Sequence, residues 1–196
     1  MFLKHAMTSV LIFATASVAV AADGHRLLFN FKNGDASKQW RTVNDGVMGG
    51  RSNGRFRINN DKSLEFFGTL SLENNGGFAS VRSRPVTMNL KATDSIVIKV
   101  RGDGREYSLN LYTAERRMAF SYRAKFKTKM NEWTEISIPV SKFVATSFGR
   151  VVRGQSLNPN QINSLGIMLG DKKAGTFKLE IGSVSVASRN TLTVSK

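Results

Sequence analysis

The 196-residue sequence has no cysteine. That excludes disulfide cross-links, a thiol nucleophile, cysteine-ligated zinc and a lipid anchor on a leader cysteine. Only two histidines occur, His5 and His25, both near the N-terminus. A Ser-His-Asp or Cys-His arrangement therefore has almost nothing to be built from. Helical patterning is missing too, since no stretch of about 11 residues carries an apolar face at the helical period. Acidic residues are scarce: 14 Asp and Glu stand against 29 Lys and Arg, a formal net charge of +15. An apolar run long enough to cross a bilayer is lacking as well.

The nearest thing to such a run is the N-terminus. Lys4 and His5 precede an uncharged segment, Ala6 to Ala22, with its most apolar part at Val10 to Phe13. Ala19-Val20-Ala21 offers the small residues of a cleavage site. This order reads as a secretory signal peptide over 1–22. An uncleaved anchor is the alternative, but Thr8, Ser9, Thr15 and Ser17 dilute the run. The expectation is an exported protein, periplasmic or secreted, soluble after cleavage. Loss of Lys4 takes the +15 to +14. An exported basic domain rarely meets nucleic acid, so the expected partner is a protein or a membrane-proximal complex. An anionic glycan or lipid surface is the other option, and simple solubility is the third.

What is present is alternation. Leu27, Phe29 and Phe31 alternate with Leu28 and Asn30; Ile96, Ile98 and Val100 with Val97 and Lys99; Tyr107, Leu109 and Leu111 with Ser108 and Asn110. Phe56 with Ile58, Ile136 with Ile138, Ile167 with Leu169, and Phe177, Leu179 and Ile181 continue the pattern. A period of two marks half-buried strands. Gly102-Asp103-Gly104 looks like a hairpin loop, and Gly170 to Gly175 joins another pair of strands. Asn158-Pro159-Asn160 reads as a turn, with at most one helical turn at Asn160 to Ser164. Pro139 is expected to end a strand. Many short strands spaced by turns predict an all-β sandwich or barrel in a single domain over 23–187, with a loose polar tail at 188–196.

One strand segment is two-faced. Met118, Phe120, Tyr122, Ala124 and Phe126 share one parity; Arg117, Arg123, Lys125, Lys127 and Lys129 share the other. The first set is expected to face the core and the second to form a basic surface. That surface serves either an anionic partner or only solvent, with lysines guarding an edge strand.

Two loops stand out. Trp40 to Ser52 reads WRTVNDGVMGGRS and Leu70 to Arg82 reads LSLENNGGFASVR. Asn44, Asn74 and Asn75 can donate and accept hydrogen bonds, and Asp45 can accept. Arg51 and Arg82 can fork onto an anion, while Trp40 and Phe78 offer flat apolar faces. These eight residues are the candidate ligand- or partner-binding set, with Asn44, Asp45, Arg51, Asn75 and Arg82 expected around one polar site. The rival reading is a buried polar network with the aromatic rings in the core. No carboxylate spacing singles out an acid–base pair, so no catalytic residue is assigned. Neither a metal site nor a cofactor is indicated.

The same two segments carry a resemblance. Trp40 with Val43 to Ser52 resembles the signature of the complex I intermediate-associated protein 30 family. Phe67-Gly68, Leu70-Ser71 and Glu73 to Arg82 resemble its second characteristic stretch. Weaker likenesses follow at Arg101 to Gly104, Tyr107, Trp133, Ile138-Pro139 with Phe143, and Gly175-Phe177-Leu179. The resemblance implies a galactose-binding-like jelly-roll β-sandwich and a non-catalytic assembly factor of respiratory complex I, chaperone-like in holding intermediates. A periplasmic glycan-binding module is the alternative function.

Overall fold

The computed structural model describes residues 24–114 and 120–188. The expected signal segment 1–22, Arg117 and residues 189–196 of the expected tail lie outside the described residues. In chain order the strands are β1 (His25–Asn30), β2 (Trp40–Asn44), β3 (Asn53–Ile58), β4 (Leu64–Leu70), β5 (Ala79–Ser83), β6 (Ser95–Arg101) and β7 (Glu106–Thr113). They continue with β8 (Ser121–Lys127), β9 (Trp133–Pro139), β10 (Val144–Ser147), β11 (Arg150–Val151), β12 (Ile162–Leu169) and β13 (Gly175–Ala187). Short 3-10 turns sit between some of them, including Pro159–Gln161; the helical turn expected at Asn160 to Ser164 gives way at Ile162 to β12. Pro139 does end its strand, as a residue without an N–H should.

Two antiparallel sheets result. The first has the order β3-β4-β13-β6-β9, with β1 also on β13; the second is β11-β10-β8-β7-β12-β5-β2. The architecture is a jelly-roll β-sandwich. Alternation builds the space between the sheets. Leu64 and Phe66 of β4 and Phe177, Leu179 and Ile181 of β13 meet Tyr107, Leu109 and Leu111 of β7 and Leu165, Ile167 and Leu169 of β12 in one core. Each fully buried large side chain adds about 1.5–3 kcal/mol. The Phe66 and Phe177 rings pack edge to face at 4.9 Å. On β8, Tyr122, Ala124 and Phe126 are buried, while Lys125 and Lys127 are exposed.

One turn differs from its expectation. Gly102-Asp103-Gly104 is no hairpin, because β6 lies in the first sheet and β7 in the second. Turn chemistry reports a reversal of direction but not which sheet receives the next strand. The segment 170–175 crosses the same gap in the other direction, from β12 to β13. Arg105 ties the two crossovers together. Its Nε and Nη2 fork onto Asp171 at 3.0 and 2.7 Å, and Nη1 donates to the Thr176 carbonyl at 3.1 Å. Asp103 accepts from the Tyr107 hydroxyl and the Lys178 N–H, both at 3.0 Å. Burial raises the pKa of Asp171, but its hydrogen bonds from Arg105 and the Lys173 N–H outweigh this and hold it below its ordinary value.

Arg105→Ala leaves the Asp171 carboxylate largely buried without its cation. The variant is expected to lose about 3 kcal/mol in urea unfolding while keeping a β-type circular dichroism spectrum. A loss below the scatter of surface substitutions would show that the crossovers hold without this fork.

Candidate functional site

The two motif loops meet on Asp45, which has no accessible surface. Its Oδ1 accepts from the Ser52 N–H at 2.9 Å. Its Oδ2 accepts from the Ser52 hydroxyl at 2.6 Å and from the N–H groups of Gly77 and Phe78 at 2.6 and 3.2 Å. The Asp45 N–H in turn donates to the Phe78 carbonyl at 3.2 Å. Ser52 extends the link, its hydroxyl accepting from the Ser71 N–H at 3.0 Å. The glycines follow from this geometry. A Cβ on Gly50 would stand 2.4 Å from the Asp45 Cγ, and one on Gly76 would stand 2.6 Å from Oδ2. Gly49 and Gly77 take φ of 88° and 123°, where a side chain is strained. Burial raises the Asp45 pKa, but the Ser52, Gly77 and Phe78 hydrogen bonds prevail and lower it overall.

The loops are therefore neighbours, yet Asn44, Asp45, Arg51, Asn75 and Arg82 do not gather around one polar site, and the eight candidate residues divide. Trp40 is 4% exposed and packs in the core against Phe29 and Phe31, so it offers no face to a ligand. Asp45 is consumed by the backbone it binds. Asn44 donates across to the Gly54 carbonyl at 3.0 Å. Asn74 donates to the Gly49 carbonyl at 3.3 Å, and exposed Arg51 pairs with Glu73 at 3.0 Å. Both contacts tie loop to loop. Amide and carboxylate groups look identical in a sequence whether they bind backbone or ligand, and here the backbone has them.

The remaining three, Asn75, Phe78 and Arg82, line an open groove of about 500 Å³ on the outer face of the second sheet. Residues 75–78 form one wall and residues 146–149, from β10 into the turn after it, form the other. Tyr112, Arg123 and Met168 supply the floor, with Met48, Phe120 and Lys172 also contributing. The Arg82 guanidinium lies over the Tyr112 ring, 4.9 Å from its centroid. Arg123 donates through Nε to the Asn110 Oδ1 at 2.9 Å. No carboxylate or histidine is among the described lining residues. Phe148 stands at the lip, 81% exposed and with φ of 45°. The sequence reading missed Tyr112, Phe148 and Met168; only the shared parity of Tyr112 with Ser108 and Asn110 pointed outward.

The basic surface divides. Arg123 turns into the groove and is half-buried. Lys125 pairs with Glu106 at 2.8 Å and Lys129 with Glu132 at 2.7 Å, both in water. β10 pairs with β8 only over Ser121 to Arg123. Lys125 and Lys127 thus stand where that flank of the strand is open.

A carboxylate pair also exists that no sequence spacing revealed. Glu65 of β4 and Glu180 of β13 are register partners on the outer face of the first sheet. Lys178 bridges them at 3.2 and 3.4 Å, Arg57 takes Glu65 at 2.7 Å, and Arg101 takes Glu180 at 2.7 Å. Burial raises both carboxyls, but the cations outweigh it and hold both low. A general acid at neutral pH needs the opposite shift. This pair is structural.

Residues 29–181 match the family model for Complex I intermediate-associated protein 30. The mouse protein named complex I intermediate-associated protein 30, mitochondrial, is 29% identical, aligned over 82% of this chain and 56% of its own length. Its Drosophila melanogaster namesake is 28% identical over 82% of this chain and 62% of its own. The chain thus spans about six-tenths of these relatives or less. Among solved structures, the family 11 carbohydrate-binding module of Clostridium thermocellum, in complex with a mixed-linked tetrasaccharide, is similar with a TM-score of 0.64. It is 15% identical, covering 86% of this chain and 98% of the module. An agarase is similar with a TM-score of 0.60 at 10% identity, over 84% of this chain and 24% of the enzyme. At such identities the likeness is one of fold, the galactose-binding-like sandwich.

The relatives correct one expectation. The mouse and fly proteins and the two Caenorhabditis proteins, the latter named as probable members, all carry mitochondrial in their names. That points to a mitochondrial location and overturns the periplasmic or secreted one. A basic start and an acid-free segment containing Ser and Thr are features that organelle leaders share with secretory ones.

Asp45→Asn puts an amide donor among backbone donors and is expected to cost about 3 kcal/mol at neutral pH. The folded Asp45 titrates below its ordinary value. Its contribution is therefore complete above about pH 4 and fades as pH falls through the folded pKa. Urea unfolding of wild type and variant across acid pH should show the gap closing downward. A gap independent of pH would mean that the charge is not what holds the loops.

Proposed function

The chain belongs to the complex I intermediate-associated protein 30 family, and from that premise we propose that it is a non-catalytic binding module that holds a protein partner while a larger complex is assembled. The relatives are named as complex I intermediate-associated proteins. Because the chain spans only part of their length, a role on complex I is part of the proposal. The observation that carries it is the groove. One wall is the motif loop 75–78, fixed by Asp45, and the described lining holds cations, hydroxyls and apolar groups with no carboxylate or histidine. Val47, Met48, Leu72 and Phe148 are exposed around the motif loops and the groove's lip. Exposed apolar groups gathered on one side of a polar surface favour a protein contact.

The glycan-binding alternative draws from the carbohydrate-binding modules a fold and nothing more. Inside the groove the Tyr112 ring is covered by Arg82, so it is no open platform for a sugar.

The test is native electrophoresis of a tagged chain extracted from its own membranes. Wild type is expected to migrate with complex I assembly intermediates. Met48→Ser combined with Phe148→Asn, which keeps a residue tolerant of positive φ at the turn, should reduce that association on the order of tenfold with an unchanged melting temperature. Wild type migrating only as the free chain would sink the reading.

A further inference from the structure

The floor of the groove carries cations in one register row. Arg41 pairs with Arg82 across β2 and β5, and Arg82 with Gly166 across β5 and β12. Gly166 pairs with Asn110 across β12 and β7, and Asn110 with Arg123 across β7 and β8. Strands are spaced by about 4.8 Å, so the Arg82 and Arg123 backbones stand roughly 14 Å apart. Their side chains shorten that gap. A Cβ on Gly166 would meet the Arg82 Cγ at 2.9 Å and the Tyr112 ring at 3.3 Å. The bare glycine is what lets Arg82 lie along the floor. Arg123 reaches inward too, its Nη2 standing 3.9 Å from the Met168 sulfur.

Neither guanidinium has a carboxylate partner among the described residues. Arg82 donates through Nε to the Ser80 hydroxyl at 3.3 Å, and Arg123 uses Nε on Asn110. A guanidinium has five donors, so most remain unspent. By contrast Arg57, Arg101 and Arg105 each hold a carboxylate. Burial lowers the pKa of Arg123, and Arg82 lowers it further although Tyr112 acts the other way. Two like charges are held near each other on a half-buried floor with no carboxylate among the described residues to neutralise them. That arrangement is costly when empty and favourable when an anion lies between them.

We infer that Arg82 and Arg123 form a carboxylate-binding site, and that the groove takes an acidic segment of a protein partner. Its Asp or Glu side chains are forked by the two arginines, and its apolar residues rest on Met48 and Phe148. The inference rests on the binding-module reading and specifies what that module recognises. A peptide fits better than a bare anion because the arginines lie at the bottom of a groove with apolar residues at its rim.

The probe is a short labelled peptide alternating Glu and Leu, with its Gln–Leu counterpart as control, titrated into the full chain. The Glu peptide should bind at least about tenfold tighter than the Gln peptide, with affinity falling as salt rises. Arg82→Gln and Arg123→Gln should each weaken it by about tenfold at unchanged melting temperature. Arg123→Lys keeps the charge but not the fork and should fall between. Lys127→Glu, outside the groove, should change affinity by no more than about twofold. Equal binding of the two peptides, or unchanged binding by both Gln variants, would overturn the site. Anionic vesicles or a sulfated oligosaccharide binding through these arginines while the Glu peptide does not would overturn the peptide as occupant. The native-gel assay separates the two levels. If wild type and the Arg82→Gln, Arg123→Gln double variant both migrate with the intermediates, the carboxylate site falls and the binding module stands. If wild type does not, the module itself falls.

Discussion

A carboxylate without any accessible surface sets the shape of the groove wall. Asp45 gains its place only because Ser52, Gly77 and Phe78 aim four donors at it. An ionised carboxyl so placed is costly unless every lone pair is used. Its use brings two segments, more than twenty residues apart in sequence, to within hydrogen-bonding distance. The wall at 75–78 inherits its position from that contact. The motif glycines are the steric condition for it, since Gly50 and Gly76 leave the room that the carboxyl fills.

Acid scarcity has a structural consequence of its own. Most described carboxylates are already engaged: Asp171 on Arg105, Glu65 and Glu180 on Arg57, Arg101 and Lys178, Glu106 on Lys125, and Asp45 on backbone. On the first sheet's outer face, Arg57, Arg101 and Lys178 are thereby each paired with Glu65 or Glu180. The second sheet's outer face has no such ladder in the groove, so Arg82 and Arg123 stand there without a carboxylate among the described residues. Net charge alone names no face for an anionic partner; the pairing pattern is the reason the proposed site is placed in the groove.

The chain and the family 11 carbohydrate-binding module share a backbone arrangement, and what this groove can hold depends on what covers its floor. Here an arginine caps Tyr112 and a glycine under it leaves the space. Function sits in such side-chain choices on a common scaffold.

Period-two alternation by itself determined the all-β class and which parity of β7, β8 and β12 faces the core, because a strand's side chains alternate between the two faces of its sheet. The motifs at 43–52 and 73–82 were enough to tie the chain to its family and to place the important loops. Tertiary structure decided the rest. It alone sends the chain after Gly102 to the other sheet, because a turn's residues fix local direction and not the strand's neighbour. It alone separates Asp45 and Trp40, which build the fold, from Arg82 and Phe78, which line the groove, because both kinds of position favour the same polar and aromatic residues. And it alone sets Arg82 and Arg123 in one row, since residues from non-adjacent strands come together only through register across the β5-β12-β7-β8 ladder.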